Sequence, residues 1–78
     1  MTIGAYILIQ TEVGHASDVA AKVRRLPGVS TVDAVAGPYD VIARTEADTI
    51  DALGRFVVSR VQPIDGVTRT LTSPIVVL

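Results

Sequence analysis

The first apolar run, Ala5-Tyr6-Ile7-Leu8-Ile9-Gln10-Thr11, is aliphatic on both parities: Ala5, Ile7 and Ile9 share one side, Tyr6 and Leu8 the other. A period of two predicts a strand, and apolar residues on both faces predict one that needs cover on both. After the short connection Val13-Gly14-His15 the period lengthens. Ala16, Val19 or Ala20, Val23 and Leu26 keep the i, i+3, i+4, i+7 spacing of an amphipathic helix, with Asp18, Lys22, Arg24 and Arg25 on its other face or in its last turn. Pro27-Gly28 stops it.

Residues 29–36 read as a second strand, made polar enough by Ser30, Thr31 and Asp33 to predict an edge position. Gly37 supplies freedom in φ and Pro38 presets φ, so the pair predicts a tight reversal, after which residues 39–45 run back antiparallel. A second helix follows, with Asp48 as the expected N-cap and Asp51 in its first turn. Ile50, Leu53, Val57 and Val61 form its expected buried stripe, with Phe56 beside it, and Pro63 ends it. Asp65-Gly66 then turns the chain into a last strand over 67–72, which Pro74 interrupts before Ile75-Val76-Val77-Leu78.

The order is β-α-β-β-α-β, and the two halves resemble each other at an offset of about 38 residues. Leu26-Pro27-Gly28-Val29-Ser30 falls on Ile64-Asp65-Gly66-Val67-Thr68, and Val19, Lys22 and Val23 fall on Val57, Arg60 and Val61. Two βαβ units related by a pseudo-twofold, with right-handed crossovers, give an α+β ferredoxin-like fold: a four-stranded antiparallel sheet with both helices on one face. Two helices cover one face only. The first strand is apolar on both, so the open face predicts a dimer built sheet to sheet.

Composition narrows the chemistry. At 78 residues the chain is a single domain near the lower limit for a self-sufficient core. No cysteine is present, which excludes disulfides and thiolate metal sites and favours an intracellular, cytoplasmic location. His15 is the only histidine and has no nucleophile or ligand set around it. A formal charge of −1 gives no footprint for direct nucleic-acid binding, and no stretch reads as a signal peptide or membrane span. Glycines stand singly, so there is no phosphate loop, and Tyr6, Tyr39 and Phe56 do not make an RNA-stacking platform. With catalysis, cofactors and metals disfavoured, binding remains. Polar groups gather at the Gly37-Pro38-Tyr39-Asp40 turn and along Thr68, Thr70, Thr72 and Ser73 in the last strand. Alternating threonines also suit a strand with no further role. As a site, they would meet a small zwitterion's carboxylate together with backbone N–H groups while Asp40 holds its amino group. Tyr39-Asp40 has no polar counterpart in the repeat, where Val77-Leu78 stands instead.

The Gly37-x-Tyr39-Asp40 turn, together with the ending Gly66-Val67-x-x-Thr70-x-Thr72, resembles the effector-binding domain of the leucine-responsive/AsnC-type (feast/famine) transcription regulators, also called the regulation of amino-acid metabolism domain. The resemblance covers essentially the whole chain. It implies a ferredoxin-like domain that dimerises through its sheets, assembles into higher oligomers, commonly octamers, and binds amino acids between dimers. Effector contacts are implied at Gly37, Tyr39 and Asp40, and more weakly at Thr70, Thr72 and Ser73; Arg44 reads as an exposed strand arginine. Such regulators carry an N-terminal helix-turn-helix domain, whereas here residues 1–78 read as one effector-binding domain without it, acting alone or together with full-length family regulators. An ACT-like regulatory domain, with Gly14 at its first strand-to-helix turn, and a small dimeric ferredoxin-like enzyme using His15 or Tyr39 are the competing readings.

Overall fold

The computed structural model describes residues 2–78. Four strands, β1 (Ile3–Thr11), β2 (Val29–Ala34), β3 (Val41–Ala47) and β4 (Val67–Pro74), alternate with α1 (Ala16–Arg24) and α2 (Ile50–Phe56), the latter running on into a π-helical turn at Val57–Val61. The sheet order is β2-β3-β1-β4 with every neighbouring pair antiparallel. This is the expected ferredoxin-like arrangement, with β2 on an edge as its polarity predicts. Pro74 sits at the end of the other edge strand, where a missing N–H costs no ladder bond.

The core lies between the helices and one face of the sheet. Ala5, Ile7 and Ile9 of β1 and Val41, Ala43 and Thr45 of β3 meet Val19, Ala20 and Val23 of α1 and Leu53, Val57 and Val61 of the second helical segment, all of them buried. Thr45 is the buried polar residue of this set, and its hydroxyl donates to the Gly28 carbonyl at 2.9 Å, so its burial leaves nothing unsatisfied. The opposite face carries Tyr6, Leu8, Ile42 and Leu71 and has no layer over it; Tyr6 and Leu71 are 42% and 45% exposed.

The internal repeat is visible in the backbone. Gly28 and Gly66 adopt φ of +87° and +94°, a region that L residues with side chains avoid. Each closes the same turn, with Val29 N–H donating to Leu26 O and Val67 N–H to Ile64 O. Each glycine carbonyl also accepts from the end of the other half's central strand, Gly28 from Glu46 N–H and Gly66 from Glu12 N–H. The two βαβ units are thus latched to each other through equivalent atoms.

Three local expectations need correction. The N-cap of α2 is Thr49 and not Asp48: its hydroxyl accepts from Ala52 N–H at 3.0 Å, while Asp48 lies one residue ahead of the cap. Ile50 does not join the buried stripe but is exposed, because as the first residue of the helix it turns outward before the face that meets the sheet begins at Leu53. β3 also starts later than expected, at Val41, so that Tyr39 and Asp40 belong to the turn. The π turn ends with Gln62 N–H donating to Val57 O at 2.9 Å. It coincides with two features that weaken the α-helical ladder: Ser59 Oγ donates to Arg55 O at 2.6 Å, and Pro63 has no N–H to give.

Candidate functional site

The β2–β3 turn is built by backbone demand and then stitched to a neighbouring strand. Val35 N–H donates to Asp40 O at 2.9 Å and closes the loop. Gly37 reaches φ +147° in open space, with no atom within 4 Å of where a Cβ would stand, so backbone conformation and not crowding selects glycine here. Three bonds then fix the turn against the end of β1: Asp40 N–H donates to Ile9 O (2.9 Å), Thr11 N–H to Asp40 Oδ2 (2.8 Å), and Gln10 Nε2 to Pro38 O (3.1 Å). Tyr39 and Asp40 are half-buried, whereas Gly37 and Pro38 are exposed.

The same end of the sheet receives the start of β4. A bulge between Gln10 and Thr11 leaves Thr68 as the extra residue, and its hydroxyl donates to Gln10 O at 3.1 Å. Arg69 then stands opposite Gln10, and Thr70 opposite Ile9, where its Oγ1 accepts from Gln62 Nε2 at 3.1 Å. Gln62, Val67, Thr68, Arg69 and Thr70 line an open recess of about 340 Å³.

The structure therefore brings together only part of the predicted set. Gly37, Tyr39 and Asp40 share one turn, and Thr70 lies near that end of the sheet. Thr72 and Ser73 stand opposite Ile7 and Tyr6, about 7 and 10 Å further along β4 at a strand's rise per residue. They also point to opposite faces, Thr72 to the helix side with Ile7 and Ser73 to the open side with Tyr6. Arg44 shares the open side, half-buried, with its guanidinium 5.9 Å from the centre of the Tyr6 ring. Gln10, Thr11, Gln62 and Arg69 complete the polar end, and sequence reasoning did not name them as site residues. Gln10 had a readable signal, as a polar interruption of an apolar strand, whereas Arg69 stands in a strand that is already polar.

Among the described residues no three or more of His, Cys, Asp and Glu cluster as metal ligands would. His15 packs instead against Gly66, with Glu12 at 3.9 Å on an exposed surface.

A family model described as the Lrp/AsnC ligand binding domain matches residues 4–76. The chain belongs to that family. Among curated relatives, an HTH-type transcriptional regulator of Pyrococcus horikoshii is 34% identical over 71 residues, covering 87% of this chain and 47% of the relative. The chain thus spans about half the length of the curated relatives it matches. A crystal structure from Thermus thermophilus superposes with a TM-score of 0.90 at 28% identity and covers 97% of this chain and 95% of its own. A Neisseria meningitidis transcriptional regulator solved in complex with L-Met shares the fold, with a TM-score of 0.84 at 24% identity over 95% of this chain and 49% of that one. Membership places this chain in a regulatory ligand-binding family and not among enzymes, which removes the small ferredoxin-like enzyme as a reading. The Lrp/AsnC match likewise displaces the ACT-like alternative. No helix among the described residues is long and apolar enough to cross a membrane.

Proposed function

We propose that this chain is an amino-acid-sensing and assembly domain linked to transcriptional regulation, and that its effector binds at the Gly37–Asp40 end of the sheet, between subunits. The observation that carries the reading is the turn itself. It is held against β1 by three hydrogen bonds, with Gly37 and Pro38 exposed and Tyr39 and Asp40 half-buried at the end of the sheet. Among the described residues neither the Gly37 nor the Tyr39 amide donates to a backbone carbonyl, which leaves two N–H groups for a carboxylate. One Asp40 oxygen is committed to Thr11 N–H; the other is the acceptor for an ammonium group.

The turn end of the sheet, whose residues line no part of the recess at the start of β4, is too open to bury a ligand by itself, since small-molecule sites enclose most of their ligand's surface. A second chain has to close it. The uncovered sheet face with Tyr6, Leu8, Ile42 and Leu71 supplies the first assembly step, a sheet-to-sheet dimer, and dimers assembling further, into an octamer, bring turns of different dimers together. The ligand family and the L-Met complex of the Neisseria meningitidis regulator support an amino acid as the effector. Co-assembly with full-length family regulators follows from the same interfaces.

A thermal-shift panel of the common amino acids tests the reading. Ligand at 100 times its Kd adds about 2.7 kcal/mol of apparent stability, on the order of 10 °C for a domain of this size. One or a few amino acids are expected to raise Tm selectively; a panel that leaves Tm unmoved at millimolar concentrations sinks the proposal.

A further inference from the structure

The outer face of the second helical segment carries a pattern that its own chain does not use. Ile50, Gly54 and Val58 recur every fourth residue and form one row along the helix. Ile50 and Val58 are 55% and 61% exposed, and nothing lies within 4 Å of where a Cβ on Gly54 would stand. Gly54 has no unusual φ, so neither backbone conformation nor internal packing accounts for a poor helix former in mid-helix. Its missing side chain instead leaves a shallow, open groove on the helix surface, flanked by Asp51 and Arg55. Ser59 also borders the groove, but its hydroxyl is turned back onto Arg55 O.

We propose that this face is a second self-association surface, on which the same face of another copy docks antiparallel about a twofold axis passing near Gly54. The pattern is self-complementary under that operation. Ile50 of one copy meets Val58 of the other, the two Gly54 positions let the helices approach closely at the crossing, and Asp51 of each lies beside Arg55 of the other. Opposite charges within one short patch favour a copy of the chain over a uniformly charged partner such as nucleic acid or an anionic membrane. The segment is short, seven α-helical and five π-helical residues, so the contact falls below a standard interface and joins units that are already assembled. It lies on the face of the molecule opposite the open sheet. A chain that uses both surfaces therefore builds beyond a dimer, and the inference does not depend on the ligand site.

Sedimentation of the full chain from about 1 to 500 μM tests it. Gly54→Lys enters open space and replaces a poor helix former, so its far-ultraviolet circular dichroism is expected to match wild type while its mass drops by one association step. Asp51→Arg and Arg55→Asp each produce the same drop, and the double reversal Asp51→Arg/Arg55→Asp restores the wild-type mass. Leu71→Asp, on the sheet, removes the other step, so failure of the sheet dimer is read separately. A Gly54→Lys protein whose mass equals wild type at every concentration overturns the proposal, as does a wild-type chain that stays monomeric throughout.

Discussion

Asp40 has one observed role and one proposed role on the same carboxylate, and they can be separated because they fall on different oxygens. Oδ2 accepts the Thr11 N–H at 2.8 Å in a part-buried setting, tying the turn to β1 beside the bulge. Removing that acceptor leaves a backbone donor unpaired, and a hydrogen bond to a charged group contributes about 1.5–3 kcal/mol. Asp40→Ala is therefore expected to lower Tm by several degrees without any ligand, whereas Asp40→Asn keeps an acceptor and most of the stability. Both should lose the amino-acid-induced shift, because neither retains a negative charge for an ammonium group. A ligand shift that survives in Asp40→Asn moves the ammonium contact to another residue. The sequence marked Tyr39-Asp40 as polar equipment where a strand starts, and that much is legible in residue type. That the Asp40 carboxylate reaches back across 29 positions to Thr11 is a tertiary fact with no local signature. Thr72 and Ser73 show the converse: they are close to Thr70 in sequence, but the strand's rise carries both away from the turn and its pleat turns Ser73 to the other face.

At the scale of elements, what could be read was whatever repeats or punctuates. The Gly28 and Gly66 offset announced the pseudo-twofold, and Val19 and Val23 duly bury alongside Val57 and Val61. Boundaries that depend on where the sheet ends were less readable. Asp48 and Thr49 are both good caps standing side by side, and only the position of β3's end selects Thr49. Periodicity assigned Ile50 to the core because it shares a row with Val57 and Val61 approximately, but it cannot tell where along that row contact with the sheet begins. The two glycine turns yield a graded prediction. A Cβ at Gly28 would sit 3.2 Å from Glu46 O, tight but tolerable, whereas one at Gly66 would sit 2.8 Å from both Cβ and Nδ1 of His15. Left-handed backbone costs an L residue roughly 1–2 kcal/mol at either site. Gly28→Ala should therefore lose about that amount in urea unfolding, and Gly66→Ala clearly more, since the start of α1 must move. Equal losses would show that the His15 contact is relieved without cost.

For the whole molecule the decisive feature is an imbalance between core and surface. The buried side chains are mostly Val, Ala and Ile, small residues that bury little area each, in a chain of 78 residues. Meanwhile Tyr6 and Leu71 stand substantially exposed on the open sheet alongside Leu8 and Ile42. If that face is covered by a second chain, folding and association are one equilibrium, and apparent stability must rise with protein concentration by mass action. The expected result is a wild-type Tm that climbs steadily from about 1 μM to about 1 mM. Leu71→Asp removes an exposed side chain from each isolated subunit at small cost to its own core, but it places a carboxylate in the paired face. Its Tm should be lower than wild type and should hardly vary with concentration, because only the subunit's own stability remains. A wild-type Tm independent of concentration, matched by a Leu71→Asp protein of equal stability, would mean that the small core suffices alone and that the open sheet is not the surface on which this domain assembles.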